Sequence, residues 1–225
     1  MRTALIIPAA GYGKRFSPNV KKQFYTIFDK PVLYWTIKNM VSAYAFDEIV
    51  LGINYDDLDG VKDIIKELDV CVPVKYAQGG AERSETVRNA VAESSADICV
   101  IHDGVRPFVS NCIAEQVINK AMETGAAICA LPVRDTVKRV IDGVITDTVS
   151  RDNLYLAHTP QAFKREVILK ALNTVSDKGV DITDDASACE YCGIDVGIIP
   201  SDYENIKVTY AEDIDIIETL MKKFF

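Results

Sequence analysis

The stretch that decides the fold lies near the start of the chain and reads TALIIPAAGYGKRF, residues 3–16. Its first part, residues 3–8, is an apolar run that predicts a buried strand. The part that follows is rich in small residues and glycine, and such a loop lets a bound group approach the backbone closely. In parallel α/β sheets, ligands bind beyond the carboxyl ends of the strands. The sequence therefore predicts a ligand-binding loop directly after the first strand of an α/β sheet.

Outward from this loop, strand-like runs alternate with helix-like segments. The predicted strands cover residues 3–8, 47–53, 72–76, 97–102 and 126–131, and the predicted helices cover residues 31–43, 58–68, 83–94 and 112–124. This alternation is typical of βαβ units with helices on both faces of a mostly parallel sheet. Because no repeat or linker divides the chain, we predict one α/β domain over residues 1–225.

Two segments break this alternation. Between residues 136 and 152, two alternating β runs flank Asp142-Gly143, and Asp-Gly supplies the positive φ angles of a two-residue hairpin turn. A projecting hairpin has too little core of its own and usually packs on a partner subunit, so we expect a homodimer formed through this β-arm. Near the end, Thr209 and Glu212 have the spacing of a capping box, which predicts a last helix running to about Lys223.

Charge and hydropathy exclude several classes of protein. The chain has 25 basic and 33 acidic residues, a net charge of −8, which argues against a general nucleic-acid or membrane-surface binder. No apolar run approaches the ~18–20 residues that span a bilayer, and the apolar start is too short for a signal peptide. We therefore expect a cytoplasmic protein. Residues 1–28 nevertheless hold five basic and no acidic residues, which suggests a small polyanion bound at one point.

The glycine loop differs from two common nucleotide-binding motifs. The third glycine of G-x-G-x-x-G, which gives close helix–strand packing, is replaced by Phe16. The G-K-[ST] ending of a Walker A loop is absent from this stretch. What remains is a glycine loop with the cations Arg15 and Lys22, which suit a triphosphate gaining charge in a transition state. The alternative is a plain surface loop.

Two further positions fall at predicted strand ends. Asp103 follows the apolar run of residues 97–102, so it is expected in the same crevice as the glycine loop. A carboxylate there could hold Mg²⁺ shared with phosphates, or it could be an ordinary loop or capping residue. Gly79 and Gly80 precede a predicted helix, where they could present backbone groups to a base or simply form a turn.

Several segments together resemble a known family. They are residues 8–11, 13–15, 21–24, 132–139, 150–154, 158–161, 182–187, 190–193 and 205–209. Over residues 3–220, in order and in spacing, they resemble the 2-C-methyl-D-erythritol 4-phosphate cytidylyltransferases of the non-mevalonate (MEP) isoprenoid pathway. The resemblance implies a three-layer αβα, Rossmann-like nucleotidyltransferase fold with a projecting β-hairpin dimerisation arm. It also implies a magnesium-dependent reaction of CTP with a polyol phosphate, giving 4-diphosphocytidyl-2-C-methyl-D-erythritol and pyrophosphate.

The resemblance further implies roles for individual residues. It makes Arg15, Lys22, Arg151 and Lys207 catalytic. It places CTP against Ala9, Ala10, Gly11, Gly13, Lys14, Gly80, Thr86, Asp103 and Gly104, with Asp103 also at the metal. It places the acceptor against Arg106, Thr136, Arg151, Thr159, Thr183 and Lys207. Because the family arm crosses to the partner, Thr136 and Arg151 would enter the neighbour's site.

Two alternative functions are compatible with this fold. A ribitol 5-phosphate cytidylyltransferase of teichoic acid synthesis shares the loop and takes a similar polyol phosphate. The segments at residues 134–138 and 183–187 look like the methylerythritol branch, and they favour that acceptor. A non-catalytic nucleotide-sensing module is the second alternative. The presence of Arg15, Lys22 and Asp103 together argues against it.

Overall fold

The computed structural model of the chain describes residues 1–13, 15–17 and 20–224, without the side chains of the last two. The strands are β1 Thr3–Pro8, β2 Thr26–Ile27, β3 Lys30–Pro31, β4 Glu48–Ile53, β5 Val74–Gln78, β6 Ile98–Ile101, β7 Ala126–Pro132, β8 Val137–Ile141, β9 Val144–Val149, β10 Tyr155–Lys164 and β11 Gly197–Pro200. The helices are α1 Val32–Ala43, α2 Leu58–Glu67, α3 Arg83–Glu93, α4 Asn111–Thr124, α5 Arg165–Asp177, α6 Asp185–Tyr191 and α7 Asp213–Phe224.

Seven strands form one sheet in the order β11-β7-β10-β6-β1-β4-β5. All neighbours pair in parallel except β10, which runs antiparallel to both β6 and β7. The first strand, β1, lies inside the sheet, and its residues from Ala4 to Ile7 are fully buried. A strand buried on both faces is expected to read as a continuous apolar run, which is why this stretch was a strong sequence signal.

The core has two layers because side chains alternate across each strand. Leu5 and Ile7 of β1 pack in a cluster with residues of α1, α2 and α4. Ala4 and Ile6 point to the other face, where residues of α3, α5 and α6 pack. The predicted three-layer αβα fold with a mostly parallel sheet is therefore confirmed. The antiparallel strand β10 is the departure from the simple alternation, and it inserts between β6 and β7.

The predicted hairpin is present as a separate two-stranded sheet of β8 and β9. Asp142 and Gly143 at its turn have φ angles of 51° and 78°, as the Asp-Gly signal predicted. Near the turn, Val140 pairs with Ile145 and Ile141 pairs with Val144. All four side chains are more than half exposed in the single chain, so the tip of the arm is an apolar surface without a cover.

The predicted capping box before the last helix is wrong. Helix α7 begins at Asp213, and the Asp213 carboxylate accepts hydrogen bonds from the backbone N–H groups of Thr209 and Tyr210 at 2.7 and 2.8 Å. The Thr209 hydroxyl turns back and donates to the Lys207 carbonyl at 3.1 Å. The Asp213 carboxylate thus accepts the Thr209 N–H that the spacing had assigned to Glu212.

None of the helices in the described part of the chain is long and apolar enough to cross a membrane.

Candidate active site

A cavity of about 470 Å³ opens beyond the carboxyl ends of β1 and β6. Many of the residues expected at the site line it, namely Ala9, Ala10, Gly11, Gly13, Lys22, Gly80, Thr86, Asp103, Gly104 and Lys207. It is also lined by residues to which the sequence had given no role: Pro8, Tyr12, Gln23, Ala81, Glu82, Arg83 and Val105. The topology thus brings loops from distant segments to one edge of the sheet, as expected for a parallel α/β fold.

A second cavity, of about 500 Å³, lies between α1, the start of α4 and the segment around Asn205. Its size alone would make it a candidate site, but none of the residues predicted from the sequence lines it. The cationic loops, which are the groups that a phosphate ligand requires, border the first cavity. We therefore place the candidate active site in the first cavity.

Asp103 is the electrostatic centre of this cavity. Its carboxylate accepts from Arg83 Nε at 3.0 Å and from Lys207 Nζ at 2.9 Å, and Arg106 Nε lies 3.4 Å away. Burial opposes ionisation of Asp103, yet the charges of Arg83, Lys207 and Arg106 hold its pKa well below the ordinary value. The site therefore contains a permanent carboxylate surrounded by a larger number of positive charges.

Arg83 is a functional residue that the sequence reasoning missed. It is the first residue of α3, and besides Asp103 it binds Asp185 through both terminal nitrogens at 3.0 and 2.9 Å. Burial raises the pKa of Asp185, and the Arg83 charge partly offsets that rise. Arg83 thereby joins the segment after β6 and the start of α3 to the start of α6. No local pattern in the sequence pointed to this bridge, because its members are far apart along the chain.

Lys22 projects into the cavity from a short 3₁₀ helix over Lys22–Phe24. Its Nζ donates to the Val208 carbonyl at 2.9 Å. Burial, together with the neighbouring Lys207 charge, lowers the pKa of Lys22 to about 8. A partly desolvated ammonium group is well suited to binding an incoming anion.

The backbone at Asp103 is fixed from behind by a buried chain of hydrogen bonds. The Asp103 N–H donates to Thr159 Oγ1 at 3.1 Å, and this hydroxyl lies 3.1 Å from His102 Nδ1. His102 Nε2 lies 3.0 Å from the Arg106 carbonyl, which can only accept. Hence Nε2 carries the proton and Nδ1 accepts from Thr159. Burial lowers the pKa of His102 to about 4, so the ring is neutral near pH 7 and serves to orient the loop.

A second group of contacts shapes the wall on the β5 side. The Gly80 N–H donates to Thr86 Oγ1 at 3.0 Å, which ties this loop to α3. A Cβ at Gly79 would lie 2.2 Å from the Cβ of Ala10, a distance that real Cβ atoms do not show. Glycine at position 79 therefore lets the two loops that face each other across the cavity come into contact.

Several expected site residues lie outside the lining of this cavity. Arg15 is exposed, with its guanidinium 5.9 Å from the ring centre of Tyr210. Arg106 and Thr159 are buried behind Asp103, and Thr183 is exposed beside α6. Thr136 and Arg151 are exposed at the base of the arm, where Arg151 donates to the Arg134 carbonyl. Lys14 lies outside the described residues. The expected contacts of these residues with ligands stay predictions.

Comparison with known proteins identifies the family of this architecture. The family model described as IspD, 2-C-methyl-D-erythritol 4-phosphate cytidylyltransferase, matches residues 3–223. A relative of that name from Bacillus cereus is 39% identical over 218 residues, covering 96% of both chains. Another from Syntrophus aciditrophicus is 38% identical over 226 residues, covering 99% of this chain and 97% of the relative.

Solved structures agree with the sequence relatives. The crystal structure of 4-diphosphocytidyl-2C-methyl-D-erythritol synthase from Anaerococcus prevotii superposes with a TM-score of 0.85 at 29% identity and covers 98% of both chains. A second crystal structure of a synthase of the same name has a TM-score of 0.82 at 32% identity. The match extends over nearly the whole chain and includes the loops that form the cavity. This chain therefore belongs to the family of 2-C-methyl-D-erythritol 4-phosphate cytidylyltransferases.

Proposed function

We propose that the cavity around Asp103 is where the chain transfers the cytidylyl group of CTP to 2-C-methyl-D-erythritol 4-phosphate, in the cytoplasm where CTP is made. The observation that carries this assignment is the convergence of Lys22, Arg83 and Lys207 on one cavity that also contains the small-residue loop. Positive side chains together with backbone N–H groups form the surroundings that a triphosphate and a second phosphate require.

The proposed reaction needs no general base. A phosphate oxygen of the acceptor attacks the α-phosphorus of CTP, a new P–O bond forms, and the bond to the β-phosphate breaks so that pyrophosphate leaves. The attacking phosphate is already ionised, so the protein's task is to bring two anions together in line. Lys22 and Lys207 would lower the repulsion between them, and Arg15, which lies outside the lining of the cavity, is proposed to approach the departing pyrophosphate.

We further propose that Mg²⁺ accompanies the nucleotide. Asp103 is ionised and lines the cavity, and Mg²⁺ in nucleotide sites is commonly held by one or two carboxylates together with phosphates and water. Asp103 would hold the ion while sharing its oxygens with Arg83 and Lys207. The ion, when bound, neutralises charge on the phosphates.

The acceptor side of the site is proposed to be completed by a second copy of the chain. The arm carries apolar pairs on both faces of its tip, and burying each such side chain fully would contribute about 1.5–3 kcal/mol. A homodimer through this arm would bring Thr136 and Arg151, at its base, to the partner's cavity. Arg106, Thr159 and Thr183 of the same chain are proposed to bind or orient the acceptor.

The choice of acceptor is tested by comparing the turnover of two polyol phosphates. The purified protein with CTP and Mg²⁺ should release pyrophosphate far faster with 2-C-methyl-D-erythritol 4-phosphate than with ribitol 5-phosphate, because the relatives named above all carry the methylerythritol name. The rates are measured in parallel at equal acceptor concentrations, with ribitol lacking phosphate as a blank. Faster turnover of ribitol 5-phosphate would refute the assignment.

The pKa of Lys22 predicts the alkaline side of the pH–rate profile. Since burial lowers this pKa to about 8, the free enzyme loses the ammonium charge as the pH rises through that value. We expect kcat/KM for CTP to fall above about pH 8. The pH above which kcat falls should be higher than this, because bound phosphates stabilise the positive charge of Lys22. In Lys22→Arg the alkaline fall should disappear, and its persistence there would remove Lys22 as the titrating group.

A further inference from the structure

The loop after β1 is held by side-chain amides that bind its carbonyl groups. Gln23 Nε2 donates to the Ala9 carbonyl at 2.8 Å and to the Gly11 carbonyl at 2.9 Å. Asn54 Nδ2 donates to the Ala10 carbonyl between them, at 2.8 Å. Three successive carbonyls of the loop are thus bound by two amide groups that come from other segments.

Holding a carbonyl also fixes the N–H group that follows it. In a planar trans peptide, the C=O of one residue and the N–H of the next point in opposite directions. Fixing the carbonyls of Ala9, Ala10 and Gly11 therefore fixes the N–H groups of Ala10, Gly11 and Tyr12. Among the described residues, no acceptor binds these N–H groups, and the three residues line the cavity. They are available to a ligand.

Gln23 also connects the loop to the catalytic cation. It is the residue after Lys22 in the 3₁₀ helix, and it is buried with 2% exposure. Its side chain points to the loop while that of Lys22 points into the cavity. A shift of this short helix would move the lysine and release the loop carbonyls together. One residue therefore sets the geometry of both groups that would meet the phosphates.

We infer that Gln23 is a positioning residue for CTP, and that it aims the N–H groups of residues 10–12 and the ammonium group of Lys22 at the nucleotide by binding the carbonyls of Ala9 and Gly11. Asn54 supports the same loop from the opposite side at Ala10. The inference rests on the proposed function, because it takes CTP as the ligand of this cavity.

The test replaces Gln23 by methionine, which has a similar length and no donor. In Gln23→Met the Kd of CTP, measured by calorimetry, and the KM of CTP should both rise about tenfold or more, because two loop carbonyls lose their donor. The KM of the acceptor should stay within about twofold, since the Gln23 hydrogen bonds go to Ala9 and Gly11 and to none of the residues proposed for the acceptor. If Gln23 had a purely structural role, its replacement would lower the melting temperature, but it would not raise the KM of CTP selectively over the KM of the acceptor.

The matched control is Gln116→Met, the same change at an exposed glutamine on α4, which should leave both KM values unaltered. Should Gln23→Met fail to fold, Asn54→Leu decides instead, because it removes the donor to Ala10 from a position that is partly exposed. Unaltered CTP affinity in the folded variant overturns the inference while leaving the proposed function intact. Failure of the unmodified protein to bind CTP overturns both.

Discussion

Lys22→Ala is expected to lower kcat by about 10²- to 10³-fold, the usual effect of removing one charge-stabilising donor from a transition state. Lys22 lies in the cavity, and among the described residues its ammonium group donates only to the Val208 carbonyl, which leaves donors for phosphate oxygens. CTP should still bind, with Kd raised by less than about tenfold, because the backbone N–H groups of the loop remain. Single-turnover rates and calorimetry with CTP measure the two quantities separately.

The neighbouring lysine offers a matched control. Lys21 Nζ lies 2.7 and 2.6 Å from the two carboxylate oxygens of Asp57, outside the lining of the cavity. Lys21→Ala should therefore retain kcat within about threefold, since the Lys21 charge is paired with Asp57 outside the cavity lining. Equal losses in the two variants would mean that general positive charge, and not the position of Lys22, supports the reaction. Undiminished turnover in Lys22→Ala would remove this residue from the mechanism.

Deletion of residues 137–148 should give a monomer that has lost activity. Val137 pairs with Val149 across the base of the hairpin, so the excision joins neighbouring chain ends and leaves the seven-stranded sheet untouched. The variant loses the exposed apolar tip, which a dimer would bury, and it can no longer present Thr136 and Arg151 to a partner. Sedimentation velocity gives the oligomeric state, and the pyrophosphate-release assay gives the activity.

Two double variants of the arm test whether its apolar tip forms the interface. Ile141→Asp with Val144→Asp places carboxylates on an apolar cross-strand pair, and it should dissociate the dimer. Arg139→Gln with Asp147→Asn alters a polar cross-strand pair of the same arm, and the dimer should persist.

A dimer that survives the deletion of residues 137–148 would place the interface elsewhere. A deletion variant that is monomeric and fully active would show that each cavity is complete within one chain.

The parts of the fold that the sequence predicted are those encoded by local pattern. The apolar run of β1, the alternating helices and the Asp142-Gly143 turn each carry their signal within a few residues, and the structure has them close to the expected bounds. Strand β10 was not predicted, because its place between β6 and β7 depends on pairing across long separations. The predicted cap of α7 failed for a local reason, since Asp213 accepts the Thr209 N–H that the spacing had assigned to Glu212.

The residues of the candidate site also differ in whether a local sequence pattern points to them. The glycine loop and Lys22 were found because their residue types and spacing are themselves suggestive of phosphate binding. Arg83 was missed because its partners lie 20 and 102 residues away, and only the folded sheet brings them together. Thr159 was expected to face a ligand, whereas its hydroxyl lies between the Asp103 N–H and His102. Sequence thus indicated which segments meet and many of the residues that line the cavity, but it did not reveal the Arg83 bridge or the inward turn of Thr159.

The Arg83 bridge has a consequence for how this chain can evolve. Asp185 is fully buried and Asp103 nearly so, and the guanidinium of Arg83 is bound to both carboxylates. Losing one member of such a buried pair costs about 3–5 kcal/mol, a large fraction of the stability of an ordinary domain. Replacing any one of the three residues alone is therefore expected to destabilise the chain strongly. We expect related chains to keep Arg83, Asp103 and Asp185 together. Substitutions near the site should then occur at the positions around these three residues.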